Sequence, residues 1–333
     1  MPPNLLAHYP LPVGTHSGTA NPLKQRGFLL RSGGHSSSYW CQQGQVPRLV
    51  FVVSLNNFEL IGAEAARPAE RPDALDYFFR GRAALDIGGG DKFEKAVDLL
   101  EHALALDPRS VVTQTRLALA LLNRAQLKDP EAAAADLRRV DDLLAQALAA
   151  SPGDPFAHRV KGNLLRFERR CEEAIPEYEI ALTANRNNPF ALGNLSVCKY
   201  LTGGSDQEAI ALTEQAIRLS PRDPNIYSWY TWIGFVHLLQ ARIEEAIAWL
   251  EKGRSAQPNA NAPHSFLAAA YGYKGERERA SAELAEAQRL AGSDRYSTIA
   301  RIRANADLYT PALRDRWETV YLPGIRAAGL PEE

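Results

Sequence analysis

The stretch "CEEAIPEYEIAL", Cys171 to Leu182, places alanines at 174 and 181 with a tyrosine between them at 178. Spacings of four and three put Ala174, Tyr178 and Ala181 on one face of a helix, so all three address a single neighbour. Alanine permits close approach there, and the ring fills the gap that two small residues leave. The same triplet returns as Ala96/Leu100/Ala103, Val140/Leu144/Ala147, Ala209/Thr213/Ala216, Ala246/Leu250/Gly253 and Ala280/Leu284/Ala287. From copy to copy the first member advances by 44, 34, 35, 37 and 34 residues. A period of this size, with one long excursion, is the mark of a solenoid in which each unit buries its apolar face against the next. The sequence thus predicts an all-α, right-handed superhelical solenoid of about six helical hairpins with a C-terminal capping helix.

Composition agrees with that class. Across 333 residues, 45% are hydrophobic and 23% charged, enough apolar material for a large core. A formal net charge of -1 gives no electrostatic case for nucleic acid or for an anionic membrane. The longest apolar run, in "RLVFVVSL" from Arg48, is far short of a membrane span. "MPPNLLAHYPLPVG" lacks the charged and apolar regions of a secretory signal. Three cysteines (41, 171 and 198) without CxxC or Cys/His spacing make disulfides and zinc sites improbable, so a reducing cytoplasm is expected.

Along the chain, residues 1–57 hold "PLPVGTHSGTANP" and "RSGGHSSSYW", rich in Gly, Ser and Pro, and are expected to be irregular or disordered. Residues 58–292 carry the repeats, and 293–333 run off-period as a helical cap. "NAPHSFLAAAYGYKGERERASAELAEAQRLAG" (261–292) displays one unit in full. Leu267, Ala268 and Tyr271 stripe helix A, Gly275 breaks the chain, and Ala280, Leu284 and Ala287 stripe helix B. Asp154-Pro155, Asn188-Pro189 and Asp223-Pro224 each offer an N-cap acceptor followed by a proline suited to the first helical position.

These units resemble the tetratricopeptide repeat (TPR), a 34-residue helix-turn-helix motif. The resemblance rests on Gly81, Gly162 and Gly234, or their small equivalents Ala118, Ser196 and Ala268, and on Pro108, Pro152, Pro221 and Pro258 at repeat ends. It covers about residues 73–292. Arg186 replaces one closing proline, and about ten extra residues around "AQLKDPEAAAAD" are expected to lengthen or loosen the second hairpin without breaking the stack.

Few residues point to chemistry. "DIGGGDK" (Asp86 to Lys92) lacks the Gly-Lys-Ser/Thr order of a phosphate loop and reads as an elongated turn between helices. His158, His237 and His264 fall within helical packing patterns and have no nucleophile or metal partner at a recognisable spacing. No cofactor or metal is expected, and no catalytic residue. Two constellations remain. Arg159, Asn163 and Asn194, with Arg166, fall by repeat phase on groove-facing positions of adjacent A helices. In some TPR domains equivalent positions clamp the terminal carboxylate of a peptide. "NIYSWYTWIGFVH" crowds Trp229, Trp232 and Phe235 onto one helix, where they anchor a partner or pack against the next repeat.

"RPDALDYFFRGRAAL", "AVDLLEHALALDP", "RRCEEAIPEYEIAL", "LSPRDPNIYSWYTWIGFVHLL", "DRYSTIARIRA" and "GIRAAGLPEE" together resemble the C-terminal TPR half of bacterial class III adenylate or guanylate cyclase-like proteins. That resemblance implies a preceding cyclase domain, for which 57 residues leave no room. The expected function is therefore a non-enzymatic scaffold holding a protein, peptide or helix in its groove. The alternatives are the regulatory portion of a cyclase system acting with a separate catalytic domain, and a self-associating structural protein.

Overall fold

The computed structural model describes residues 73–291, 297–303 and 310–333. The expectation for residues 1–57, and those for 58–72, 292–296 and 304–309, lie outside the described residues. The described residues form an all-α helical-repeat solenoid of six hairpins. The A helices are α1 (Ala74–Ile87), α3 (Val111–Ala125), α5 (Pro155–Phe167), α7 (Pro189–Leu201), α9 (Ile226–Leu239) and α11 (Asn261–Lys274). The B helices are α2 (Gly90–Leu106), α4 (Pro130–Ala150), α6 (Cys171–Ala184), α8 (Asp206–Leu219), α10 (Ile243–Ala256) and α12 (Arg277–Ala291). Beyond them lie α13 (Ile299–Arg303), α14 (Pro311–Arg316), a π-helical turn over Trp317–Tyr321, and α15 (Leu322–Ala327). No helix among the described residues is long and apolar enough to cross a membrane.

Side-chain caps set where the helices begin. Asp154 accepts from Ala157 N at 2.6 Å and Asn188 from Ala191 N at 3.1 Å, each with a proline opening the helix. Asp223 departs from the expected pattern. Its carboxylate takes the N–H of Asn225 at 2.8 Å, two residues on rather than three, which closes a turn and delays α9 to Ile226. "DIGGGDK" does turn between helices, but the turn is not elongated: only Gly88 and Gly89 lie between α1 and α2, at φ of 75° and 94°, where a side chain would be strained.

The recurring triplets form the seam. Ala96, Leu100, Ala103, Ala174, Tyr178, Ala181, Ala246 and Leu250 are fully buried. Opposite the bulky member stands a small residue of helix A. A Cβ on Gly162 would lie 2.7 Å from the Tyr178 ring, one on Gly81 2.8 Å from Leu100, and one on Gly234 2.6 Å from Leu250. The fourth hairpin solves the same problem with polar groups. Thr213 replaces the bulky residue, Ser196 replaces the glycine, and their hydroxyls lie 2.8 Å apart with both bonded to the Ala209 carbonyl. Each of these contacts fixes the separation of a helix pair.

A second recurring contact ties three of the hairpins to the turn before them. The side chain four residues into α3, α5 and α11 reaches the carbonyl of the proline that ends the previous repeat. Gln114 Nε2 donates to Pro108 O at 3.0 Å, and His158 Nε2 and His264 Nε2 lie 2.8 and 3.0 Å from Pro152 O and Pro258 O. The other nitrogen of each histidine meets a helix B carboxylate, Glu177 at 2.5 Å or Glu283 at 2.6 Å. These histidines are structural, as their packing phase indicates. The insertion in the second hairpin lengthens α4 to 21 residues against 14 in α6. It is stitched down by buried Asp136, which accepts from Arg124 at 2.6 and 2.9 Å and from Lys128 at 2.9 Å, while Arg124 also reaches Glu94 on α2.

The cysteine expectation is overturned, because Cys171 and Cys198 form a disulfide. They open α6 and sit inside α7, with Cα atoms 4.8 Å apart, within the span a disulfide requires. Their separation of 27 residues is set by repeat packing, so no local motif announces it. Cysteine usage therefore no longer argues for a reducing compartment.

The C-terminal segment lies across helix A faces instead of stacking as a seventh hairpin. Gly324 meets the backbone of Ala269, and Gly272 meets the backbone of Gly324, a crossing that only two glycines permit. Tyr321 Oη lies 2.9 Å from Ser265 Oγ, Trp317 packs on Phe235 with ring centroids 6.0 Å apart, and Arg316 pairs with Asp206 at 2.6 Å. Replacing Gly324 by alanine sets a methyl against main chain that cannot rotate away, so G324A should destabilise the fold by roughly 1–3 kcal/mol in denaturant melts. Alkali should also unfold the protein through its buried phenols. Burial pushes Tyr178 up to about 12 from 10.0 and raises Tyr200 and Tyr271 too. The folded state thus holds these protons more tightly, and the stability present below pH 10 is lost as pH rises through about 12. Tyrosinate absorbance should then appear together with the loss of helical circular dichroism.

Candidate partner-binding groove

The proline-carbonyl contact gives a common register for the A helices. His158 on α5 corresponds to His264 on α11, so Arg159, Asn163 and Arg166 correspond to Ser265, Ala269 and Gly272. On α11 that face is covered by α15 and the π-helical turn. On α5 the same face carries arginine and asparagine.

Of the residues that the sequence points to, Asn163 is 9% exposed and its Oδ1 accepts from both Tyr178 Oη at 3.0 Å and Asn194 Nδ2 at 2.9 Å. This network joins α5, α6 and α7, so the Asn163 oxygen is already committed within the fold. Arg159 is 6% exposed, with its guanidinium 4.5 Å from the Phe156 ring and 5.4 Å from Phe190. Arg166 is half-buried, and its Nε has no acceptor among the described residues. The aromatic residues divide differently. Trp229 is buried, with its indole nitrogen 2.5 Å from where a Gly193 Cβ would stand. Trp232 is half-buried and donates to Ser196 Oγ at 3.1 Å. Phe235 is buried beneath Trp317. All three side chains make contacts within the fold, Trp229 and Phe235 buried and Trp232 half-buried.

The structure adds residues that the sequence did not single out. Arg116 on α3 is 9% exposed, and its guanidinium lies 3.9 Å from the same Phe156 ring. Arg82 lies 3.6 Å from Asp86 on α1. Burial lowers Arg116 to about 9, with Arg82 and Arg159 repelling it further, and burial lowers Arg159 to about 10. Burial likewise raises Asp86 against the pull of Arg116, Arg82 and Arg159. The only signal they share in sequence is helical phase: these arginines sit on adjacent A helices, with no local motif to mark them.

No family model matches the sequence, and no curated protein matches it. Solved structures give the fold. The chain is similar to one in the Cut9–Hcn1 hetero-tetramer of the APC/C, at 16% identity and a TM-score of 0.58, covering 77% of this chain and 46% of that one. It is similar to human IFIT1, solved as a dimer with m7Gppp-AAAA, at 17% identity and a TM-score of 0.56, covering 83% of this chain and 64% of that one. A TPR protein from Thermus thermophilus shows 17% identity over 53% of this chain and 88% of its own, with a TM-score of 0.43. The protein spans less than half the length of the Cut9 complex chain it matches. Its fold is of the TPR type.

Because Asn163 satisfies two donors, N163L should cost roughly 1–3 kcal/mol by stranding the Tyr178 hydroxyl, while Y178F should cost only about 0.5–1.5 kcal/mol. The double variant should fall short of the sum in a denaturation cycle.

Proposed function

We propose that the protein is a non-catalytic interaction scaffold that holds an extended or helical segment of a protein partner along the inner face of α1, α3, α5 and α7. The observation that supports this reading is the protein's own C-terminal segment: it seats a helix on the face of α11 equivalent to the one carrying Arg159 and Asn163 on α5. A surface that takes a helix in cis at one end offers the same geometry in trans at the other, with different side chains setting the choice of partner. Phe156 and Phe190 supply apolar area and the arginines supply donors. The Cut9–Hcn1 assembly, in which a chain of similar fold joins a hetero-tetramer, is consistent with a protein partner.

Selection of the full-length chain against a displayed random-peptide library tests this. Selected peptides should lose at least about tenfold in affinity to F156A, and keep it to I180A on the exposed side of α6. Peptides that ignore F156A place binding elsewhere, and selection of RNA in a parallel oligonucleotide library would favour a nucleic-acid partner.

A further inference from the structure

The inner face of α3 and α5 holds more positive charge than the fold neutralises. Arg116 and Arg159 are more than nine-tenths buried, and neither makes a hydrogen bond or ion pair with a described residue. Both guanidiniums lie against one ring, Phe156, at 3.9 and 4.5 Å from its centroid. Acids near them are few and engaged. Asp86 lies beside Arg82 and also attracts Arg116 and Arg159 through space, and Asp154 commits its carboxylate to the N–H of Ala157, so two carboxylates stand near three arginines. Buried cations normally carry a hydrogen-bonded counter-charge, because a desolvated guanidinium without one opposes folding. Stacking on Phe156 offsets part of that, yet leaves the N–H donors without an acceptor among the described residues.

We propose that Arg116 and Arg159 together form a receptor for a phosphomonoester carried on the partner peptide. This rests on the groove reading above and names the group that the groove recognises. Two guanidiniums without a direct ion-pair partner match a group of charge about -1.5 to -2, which a phosphorylated side chain supplies at neutral pH. Its three terminal oxygens are enough acceptors for two guanidinium forks. A lone carboxylate would leave one cation unneutralised, and a phosphodiester carries a single charge per unit. The Phe156 ring beside both guanidiniums displaces water from them and so strengthens the attraction.

The test uses the full-length chain. Thermal unfolding is followed with inorganic phosphate or chloride at matched ionic strength, and calorimetry compares a phosphoserine peptide with its glutamate and unmodified counterparts. Phosphate should raise the melting temperature saturably where chloride does not. The phosphoserine peptide should bind about tenfold or more tighter than the glutamate one. R116M and R159M should each abolish the phosphate effect. In phosphate-free buffer R116M should melt no lower than the wild type, since it removes a desolvated cation, whereas a purely structural arginine would be missed. Equal effects of phosphate and chloride overturn the proposal. So do glutamate binding as tight as phosphoserine, phosphate stabilisation that survives both substitutions (an adventitious ion only), RNA binding lost in R116M, or unfolding of R116M and R159M. If library-selected peptides respond to F156A while phosphate does nothing, the groove stands and the phosphate receptor falls. Peptides indifferent to F156A sink the groove itself.

Discussion

The distance between paired helices is fixed where a residue without a side chain meets one with a large side chain. Gly162 over Tyr178, Gly81 over Leu100 and Gly234 over Leu250 are three instances of a single steric rule. Each leaves no room for a methyl group, and each lies in a fully buried seam. Interiors packed to this density behave as bistable contacts with little capacity for continuous deformation, so the rule sets both spacing and rotation of successive hairpins. The polar version in the fourth hairpin, with Ser196 and Thr213 sharing the Ala209 carbonyl, shows that shape and satisfied hydrogen bonds matter more than apolarity. Once that seam repeats, the A helices present equivalent faces by necessity.

What happens on those faces differs from one end to the other. Toward the C-terminus the protein fills its own inner surface, with Trp317 on Phe235 and Gly324 on Ala269, and the aromatic residues there become core. Toward the N-terminal hairpins the equivalent positions hold arginines stacked on Phe156 and an asparagine that bridges α6 and α7. Burial that would ordinarily enclose apolar side chains encloses charge there, at a site where Arg116 and Arg159 are both pushed below their ordinary values by desolvation. Local unfavourable electrostatics on a regular scaffold is where function is sought, because the rest of the scaffold supplies the stability that such a site takes away.

The solenoid was legible because its signal is local and repeated: the Ala174/Tyr178/Ala181 triplet and its copies state helix, face and partner within twelve residues. The caps at Asp154 and Asn188 were legible for the same reason. At Asp223 an identical Asp-Pro pair folds as a turn, since its carboxylate takes the nearer N–H, a choice that sequence spacing does not encode. The Cys171–Cys198 disulfide depends on the approach of two helices. The docking of α15 depends on one glycine meeting another across more than fifty residues of chain, and neither glycine is unusual alone. Of the groove, phase picked out Arg159, Asn163 and Asn194 as neighbours. Nothing local marks Arg116, because one more arginine on an amphipathic helix resembles a solvated residue, and only its burial on α3 sets it apart.

Hydrogen exchange across the full chain tests the central claim most directly, namely that in-phase hairpins form one inner face whose C-terminal end is closed by the protein's own helix. The amides of Leu322–Ala327 should exchange as slowly as those of α11, and should lose protection together with them as denaturant is added. Rapid exchange of that segment against a protected α11 would mean that the face is open along its whole length, and the assignment of an occupied and a receptive end would be wrong.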